Sequence, residues 1–180
     1  MSVAQSAPIF PVTSSVQSEH QVLILGLDVS PLRIGYALIK QDESLVRSGT
    51  LHVPRGDDLR FRRAAWQKLT EIVRQNTGYS AELMLVAIED AHVGINKSYA
   101  VKAAVAIGHI EAFAIKSYPW VMVHRFQPAE WRKIAAIETR SKEVVMEWAR
   151  DKYNPDLDDQ DEADALGIAL AGARELVTEF

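Results

Sequence analysis

The stretch Gln21-Val22-Leu23-Ile24-Leu25-Gly26-Leu27-Asp28-Val29-Ser30 decides the fold of this chain. After Gln21, residues 22–27 are apolar or glycine, with no polar position to mark a wet face. A strand of this kind is buried on both faces, as central strands of α/β sheets are. The run of residues 21–27 ends in a carboxylate, Asp28, at the end of a strand where α/β sheets place their ligands. An aspartate in that position also serves as a turn residue that bonds its own backbone. One position alone leaves both readings open.

Working outward, residues 34–40 and 45–53 read as two further strands, joined by the polar turn Gln41-Asp42-Glu43-Ser44. Helical spacing of Leu59, Ala64, Trp66, Leu69, Ile72 and Val73 predicts a helix over 57–76 that stops near Gly78. A fourth strand is expected at 83–88, an alanine-rich helix at 97–116 and a short fifth strand at 121–124. Pro128 suits the first turn of a helix. Ser141 followed by Glu143 opens another helix that runs to about residue 153, where Asn154-Pro155 breaks it. A last helix covers 159–176. Three strands in succession, then alternating helix and strand, predict an α/β fold: a mixed five-stranded sheet flanked by helices on both faces. Residues 21–180 read as a single domain. Residues 1–20, without periodicity, read as a flexible N-terminal tail.

The length of 180 residues fits one such domain. The absence of cysteine excludes a disulfide framework, thiolate zinc sites, iron–sulfur clusters and a cysteine nucleophile. No apolar run approaches the roughly 20 residues that span a bilayer. The first Lys or Arg is Arg33, which argues against a cationic secretory signal. A cytoplasmic protein with no membrane association is therefore expected.

The net charge of −4 is unevenly spread. Seven of the 24 acids lie within 151–164 (Asp151, Asp156, Asp158, Asp159, Asp161, Glu162 and Asp164), against one base, Lys152, of the chain's 20. The remainder thus holds 19 bases and 17 acids. An acidic knot on a mildly basic body suits a cation site beside a polyanion surface, and equally a solvated loop.

Glu89 repeats the Asp28 arrangement, closing Leu83-Met84-Leu85-Val86-Ala87-Ile88. Two strands of one sheet that each end in an acid bring together charges that repel unless a cation or proton neutralises them. Asp90 points to the opposite face if the strand continues, which favours Glu89. Asp161 and Asp164 sit three residues apart at the start of the last helix, on one face. Acids in a first helical turn also complement the helix dipole without further function. The small and apolar continuation Ala165-Leu166-Gly167-Ile168-Ala169 predicts a helix lying close on the sheet, with Asp164 partly buried. Hard oxygen donors from three segments favour Mg²⁺, or Mn²⁺ in its place, over zinc. Two such ions about 4 Å apart would clamp the attacking and leaving oxygens of a phosphoryl displacement.

Ile24-Leu25-Gly26-Leu27-Asp28, Gly35-Tyr36, Ala87-Ile88-Glu89 and Asp161-Glu162-Ala163-Asp164-Ala165-Leu166-Gly167-Ile168-Ala169, in this order, resemble the four-carboxylate pattern of the RuvC Holliday-junction resolvases. The resemblance runs from about residue 22 to 173. It implies a ribonuclease-H-like fold, a homodimer, and metal-dependent nicking of opposed strands of four-way DNA junctions. It also places Asp28, Glu89, Asp161 and Asp164 as catalytic and metal-binding residues, with two ions per site. Asn96, Ala100, Lys102, Ala106 and Gly108 are similar to the family's stretch after the glutamate. Phe126-Gln127-Pro128-Ala129-Glu130-Trp131-Arg132 is similar to its Tyr-x-Pro-x-Glu-Val-Lys segment, and Lys142-Glu143 to a Lys-Glu pair opening a helix.

His92, Asn96, Lys97, Lys102, Arg132, Lys133 and Lys142 are the expected DNA contacts. A solvated helix surface is the bland alternative for the bases. The chain departs from the pattern at Val29-Ser30, where the family has proline-glycine. It departs again at His92, where the family commonly has phenylalanine, and at Ala135-Ala136-Ile137-Glu138-Thr139-Arg140, which replaces a glycine-containing loop. These differences bear on cutting specificity.

Other residues read as structural. His109 is expected to be packed or on the surface, His124 to make a structural hydrogen bond, and Trp66, Trp120, Trp131 and Trp148 to be core or interface. The basic group Arg55, Arg60, Arg62 and Arg63 reads as a helix lining a junction arm or as a solvated helix start. The helix across 100–114 is the candidate symmetric interface. Competing functions are a ribonuclease-H-like nuclease for other branched, flapped or RNA-containing nucleic acids, a phosphate-binding ATPase of the actin and sugar-kinase type, and a non-catalytic junction-binding module. The ATPase reading needs two lobes where this chain has one.

Overall fold

A computed structural model describes residues 21–53, 59–77, 81–91, 97–137 and 141–179. The expected tail, residues 1–20, lies outside them, as do His92 and Asn96. In chain order the elements are β1 (Gln21–Val29), β2 (Arg33–Lys40), β3 (Leu45–His52), α1 (Leu59–Asn76), β4 (Ala81–Glu89), α2 (Lys97–Ser117), β5 (Met122–Phe126), α3 (Pro128–Ile134), α4 (Lys142–Lys152) and α5 (Gln160–Glu179). The sheet order is β3-β2-β1-β4-β5. The pairs β1–β2 and β2–β3 are antiparallel, while β1–β4 and β4–β5 are parallel. The predicted mixed five-stranded sheet is the observed one.

The apolar run of β1 is explained by its central place, because alternate side chains enter two separate cores. Leu23, Leu25, Leu27 and Val29 pack toward Trp66 and Leu69 of α1 and Ile107 and Ile110 of α2. Ile24 packs the other way, toward the layer of α3, α4 and α5. Pleating puts Gly26 and Asp28 on the same face as Ile24. A Cβ on Gly26 would overlap the Ala165 carbonyl and the backbone of Ala169, so α5 lies directly on β1. All side chains from Ala165 to Ala171 are buried there.

Several expected boundaries shift. Strand β1 continues through Asp28 to Val29, because Asp28 pairs with Gly35 and Val29 with Ile34 in the hairpin. Glu89 is the last residue of β4, held in register with Phe126 of β5. That pairing also carries β5 beyond the expected 121–124. The last helix runs to Glu179, and Asp159 stands before it as a cap, its Oδ1 accepting the Asp161 and Glu162 amides at 2.9 and 3.3 Å.

The expectation that the basic start of α1 could line a junction arm fails for Arg62. That side chain is 4% exposed and faces His109 of α2, with Nη1 3.2 Å from Nδ1. Arg63 is exposed, and Arg55 and the side chain of Arg60 are outside the described residues. Trp66 and Trp131 are core residues and Trp148 packs against the core, but Trp120 is 82% exposed and belongs to no core. His124 faces Glu175 at 3.5 Å.

Candidate active site

The site forms where strands deliver acids to the carboxyl end of the parallel pair, beneath the first turn of α5. Asp28 on β1 and Glu89 on β4 share the α5 face, since Ile24 and Leu85 and Ala87 of the same parity all belong to that core. Leu27 pairs with Ile88, so the two acids stand side by side one residue further on. Asp28, Glu89 and Asp161 line one cleft of about 370 Å³. Its other wall comes from Tyr99, Ala100 and Ala103 of α2, with Val29, Ser30 and Arg33 at the hairpin side.

Asp161 reaches this place because β2 leaves room for it. Gly35, the register partner of Asp28, lies directly under the turn, where a Cβ would overlap the Asp161 carbonyl. Two glycines, Gly26 and Gly35, thus set how closely α5 approaches the sheet. Asp164 follows one turn later, partly buried as expected.

Electrostatics mark the cluster as short of positive charge. Burial first, then the charges of Glu89, Asp164 and Asp161, push the Asp28 carboxyl well above the ordinary aspartate range, against an opposing pull from Lys142. Burial likewise pushes Asp164 up to about 6, with Glu89 adding to it and the Gln160 hydrogen bond, Arg132 and Lys142 opposing. Lys142 at the start of α4 and Arg132 on α3 are therefore near enough to feel the acids.

Three of the acids have protein partners. The Trp131 indole Nε1 donates to Glu89 Oε2 at 2.6 Å. The Gln160 amide donates to Asp164 Oδ1 at 3.1 Å. Arg33 forms ion pairs with Asp159 and Asp161, its Nε 2.7 Å from Asp161 Oδ2. Among the described residues, no three His, Asp or Glu side chains converge as a ready chelate. As a donor set, four carboxylates without sulfur or imidazole still suit a hard divalent cation.

Of the residues expected to contact DNA, Lys97, Lys102, Lys133 and Lys142 are exposed and Arg132 is half-buried. Asp90 also lines this cleft, where its carboxylate accepts from the Gln127 amide at 2.9 Å and from its neighbour's N–H. Sequence reasoning missed Arg33, Gln160 and the hydrogen bond of Trp131. The last had a signal: a buried indole N–H needs an acceptor. The other two arise from contacts that no local pattern announces.

No protein-family model matches the sequence, and no curated protein sequence matches it significantly. Solved structures do share the fold. RuvC of Thermus thermophilus in complex with a Holliday junction substrate superposes with a TM-score of 0.70 at 17% identity, covering 87% of this chain and 96% of that one. A second structure of Thermus thermophilus RuvC gives 0.69 at 17% identity, with the same coverage. The yeast mitochondrial Holliday junction resolvase gives 0.57 at 10% identity, covering 84% of this chain and 78% of that one. The chain thus has the α/β fold of the RuvC-type resolvases, as its sequence pattern implied.

Proposed function

We propose that this chain is a divalent-metal-dependent, structure-selective DNA endonuclease that resolves four-way junctions by paired symmetric nicks. The observation that supports this reading is that Asp28, Glu89 and Asp161, from three separate segments, line one strand-end cleft under α5, with Asp164 near enough for its charge to act on Asp28. Burial, and then the neighbouring acids, push the Asp28 carboxyl upward; a bound cation would relieve that crowding, and the all-oxygen donor set favours Mg²⁺ or Mn²⁺. The fold it shares with a resolvase solved on a Holliday junction names the substrate to try first.

A pair of such ions supplies an activated water and neutralises charge developing on the phosphate. Asp28, at the centre of the cluster, would hold both, with Glu89, Asp161 and Asp164 completing the donor set. Lys142 and Arg132 would meet backbone phosphate and favour its negative transition state. Lys97, Lys102, Lys133, His92 and Asn96 would orient the junction arms.

Paired nicks require two sites in fixed relation, hence a homodimer. Helix α2 supports this with a second apolar face. Val101, Val105, Gly108, Ala112 and Ile115 recur at spacings of four and three, and Val101, Val105 and Ile115 are exposed. No atom comes within 4 Å of a Cβ built on Gly108, so the stripe is open to a second copy. The same composition makes α2 long and apolar enough to cross a membrane by those criteria alone, although its other face packs on the sheet.

The test is cleavage of end-labelled four-way junction and matched linear duplex, with Mg²⁺ or chelator. Metal-dependent, symmetric nicks confined to the junction are expected. Binding without cutting under any divalent ion would overturn the enzyme reading. Faster cutting of flaps or RNA–DNA hybrids would redirect it to another nucleic acid.

A further inference from the structure

Trp131 occupies a position that packing alone does not explain. It is fully buried in the core beneath α5, yet its polar edge is turned to the site, donating to Glu89 Oε2 at 2.6 Å. Residues 42 apart in sequence are joined by this bond, and no other indole among the described residues touches the acids. The ring fits only because α5 carries glycine at 167, where a Cβ would overlap the indole. Its π-face meanwhile carries the Arg132 guanidinium, whose Cζ lies 4.6 Å from the ring centroid. One rigid side chain therefore fixes an acid by its edge and a cation by its face.

A carboxylate that must share a cation gains from being held in one rotamer before the cation arrives. Partners that orient metal-binding side chains in this way commonly alter metal affinity by tens of fold. An indole N–H suits this role because it donates only, never accepts, and so cannot compete for the ion. In the segment that resembles Tyr-x-Pro-x-Glu-Val-Lys, this tryptophan stands where the pattern has valine, which has no donor to offer.

We propose that Trp131 is a positioning residue whose indole N–H, rather than its bulk, orients Glu89 and so sets the affinity of the cleft for a divalent cation. The proposal rests on the reading of the four acids as a cation site. Arg132, stacked on the same ring, is held in consequence toward Asp164, whose carboxyl it already pulls down.

The test is Mn²⁺ titration of the metal-free full chain, by calorimetry and by the loss of the free-ion paramagnetic signal. Thermal unfolding of each variant serves as the folding control. Trp131→Phe is expected to weaken Mn²⁺ binding about tenfold or more. Glu89→Ala should weaken it at least as much, and the double variant should bind no worse than Glu89→Ala alone. If Phe fails to fold, benzothienylalanine at 131 keeps the shape of the ring without the N–H and is expected to give the same loss. Unchanged affinity in the benzothienyl protein, or a full further loss in the Glu89→Ala background, would overturn the proposal. A wild-type chain that takes up no Mn²⁺ would instead overturn the cation-site reading on which it rests.

Discussion

Gly35 and Asp161 touch backbone to backbone: a side chain on the glycine would overlap the aspartate carbonyl. Because Gly35 is also the register partner of Asp28, this contact fixes how far the first turn of α5 stands from the central acid. The missing side chain is thus the space into which the site is built.

Gly35→Ala is accordingly expected to push the start of α5 off the sheet. Neither partner atom can rotate away, since both belong to backbone. Overpacking of this kind costs about 1–3 kcal/mol. A lowered thermal midpoint together with weakened Mn²⁺ binding should be seen; a variant with wild-type values of both would show that α5 is seated less closely on the sheet.

Asp28→Asn should abolish cleavage by several orders of magnitude while junction binding persists. Removing this carboxylate takes away the proposed donor at the centre of the cluster, whereas the proposed phosphate contacts lie elsewhere. Gel-shift and cleavage measurements on the same junction separate the two effects. A variant that still cuts at normal speed would remove Asp28 from the chemistry.

The acids also predict an inverted pH dependence of stability. Asp164 titrates near 6 in the folded chain against an ordinary value of 3.8, so the native state holds its proton more tightly than the unfolded chain does. The penalty is absent below about pH 4, grows as pH rises toward 6, and is complete above it. A shift of that size corresponds to on the order of 2–3 kcal/mol. Metal-free Asp164→Asn should therefore unfold at a higher temperature than wild type at pH 7.5, and at nearly the same temperature at pH 4. Asp28→Asn should behave in the same direction. Equal midpoints at pH 7.5 would contradict the buried, crowded placement of these acids.

Arg33 forms ion pairs with Asp161 and Asp159. A cation that needs Asp161 must compete with that guanidinium. Arg33→Gln is expected to tighten Mn²⁺ binding several-fold while lowering stability by no more than about 1 kcal/mol, as for other partly exposed pairs. Weaker Mn²⁺ binding would mean that Arg33 organises Asp161 instead of blocking it.

Lys142 lies close enough to pull on both Asp28 and Asp164, yet its side chain is exposed. If it meets DNA phosphate, Lys142→Ala should weaken binding alike for all junction sequences and reduce the salt-dependence slope by about one. An unchanged slope would place Lys142 off the DNA.

Much of this protein is written locally. The apolar run at 22–27 announces a strand buried on both faces, and Asp28 and Glu89 are legible because each closes such a run. The spacing of Asp161 and Asp164 places them on one face of a helix without reference to anything else. Periodicity reports burial and facing, because those depend on neighbours in sequence.

Tertiary structure alone decided which groups meet. Arg33 and Asp159 are 126 residues apart, Glu89 and Trp131 are 42 apart, and Gly35 lies under Asp161 only because α5 crosses the sheet there. Arg62 read as a surface base and is buried against His109 for the same reason, since α2 covers it. A residue's type and its neighbours in the chain fix what it can bond to. The crossing of distant elements fixes what it does bond to, and that depends on the whole folded chain.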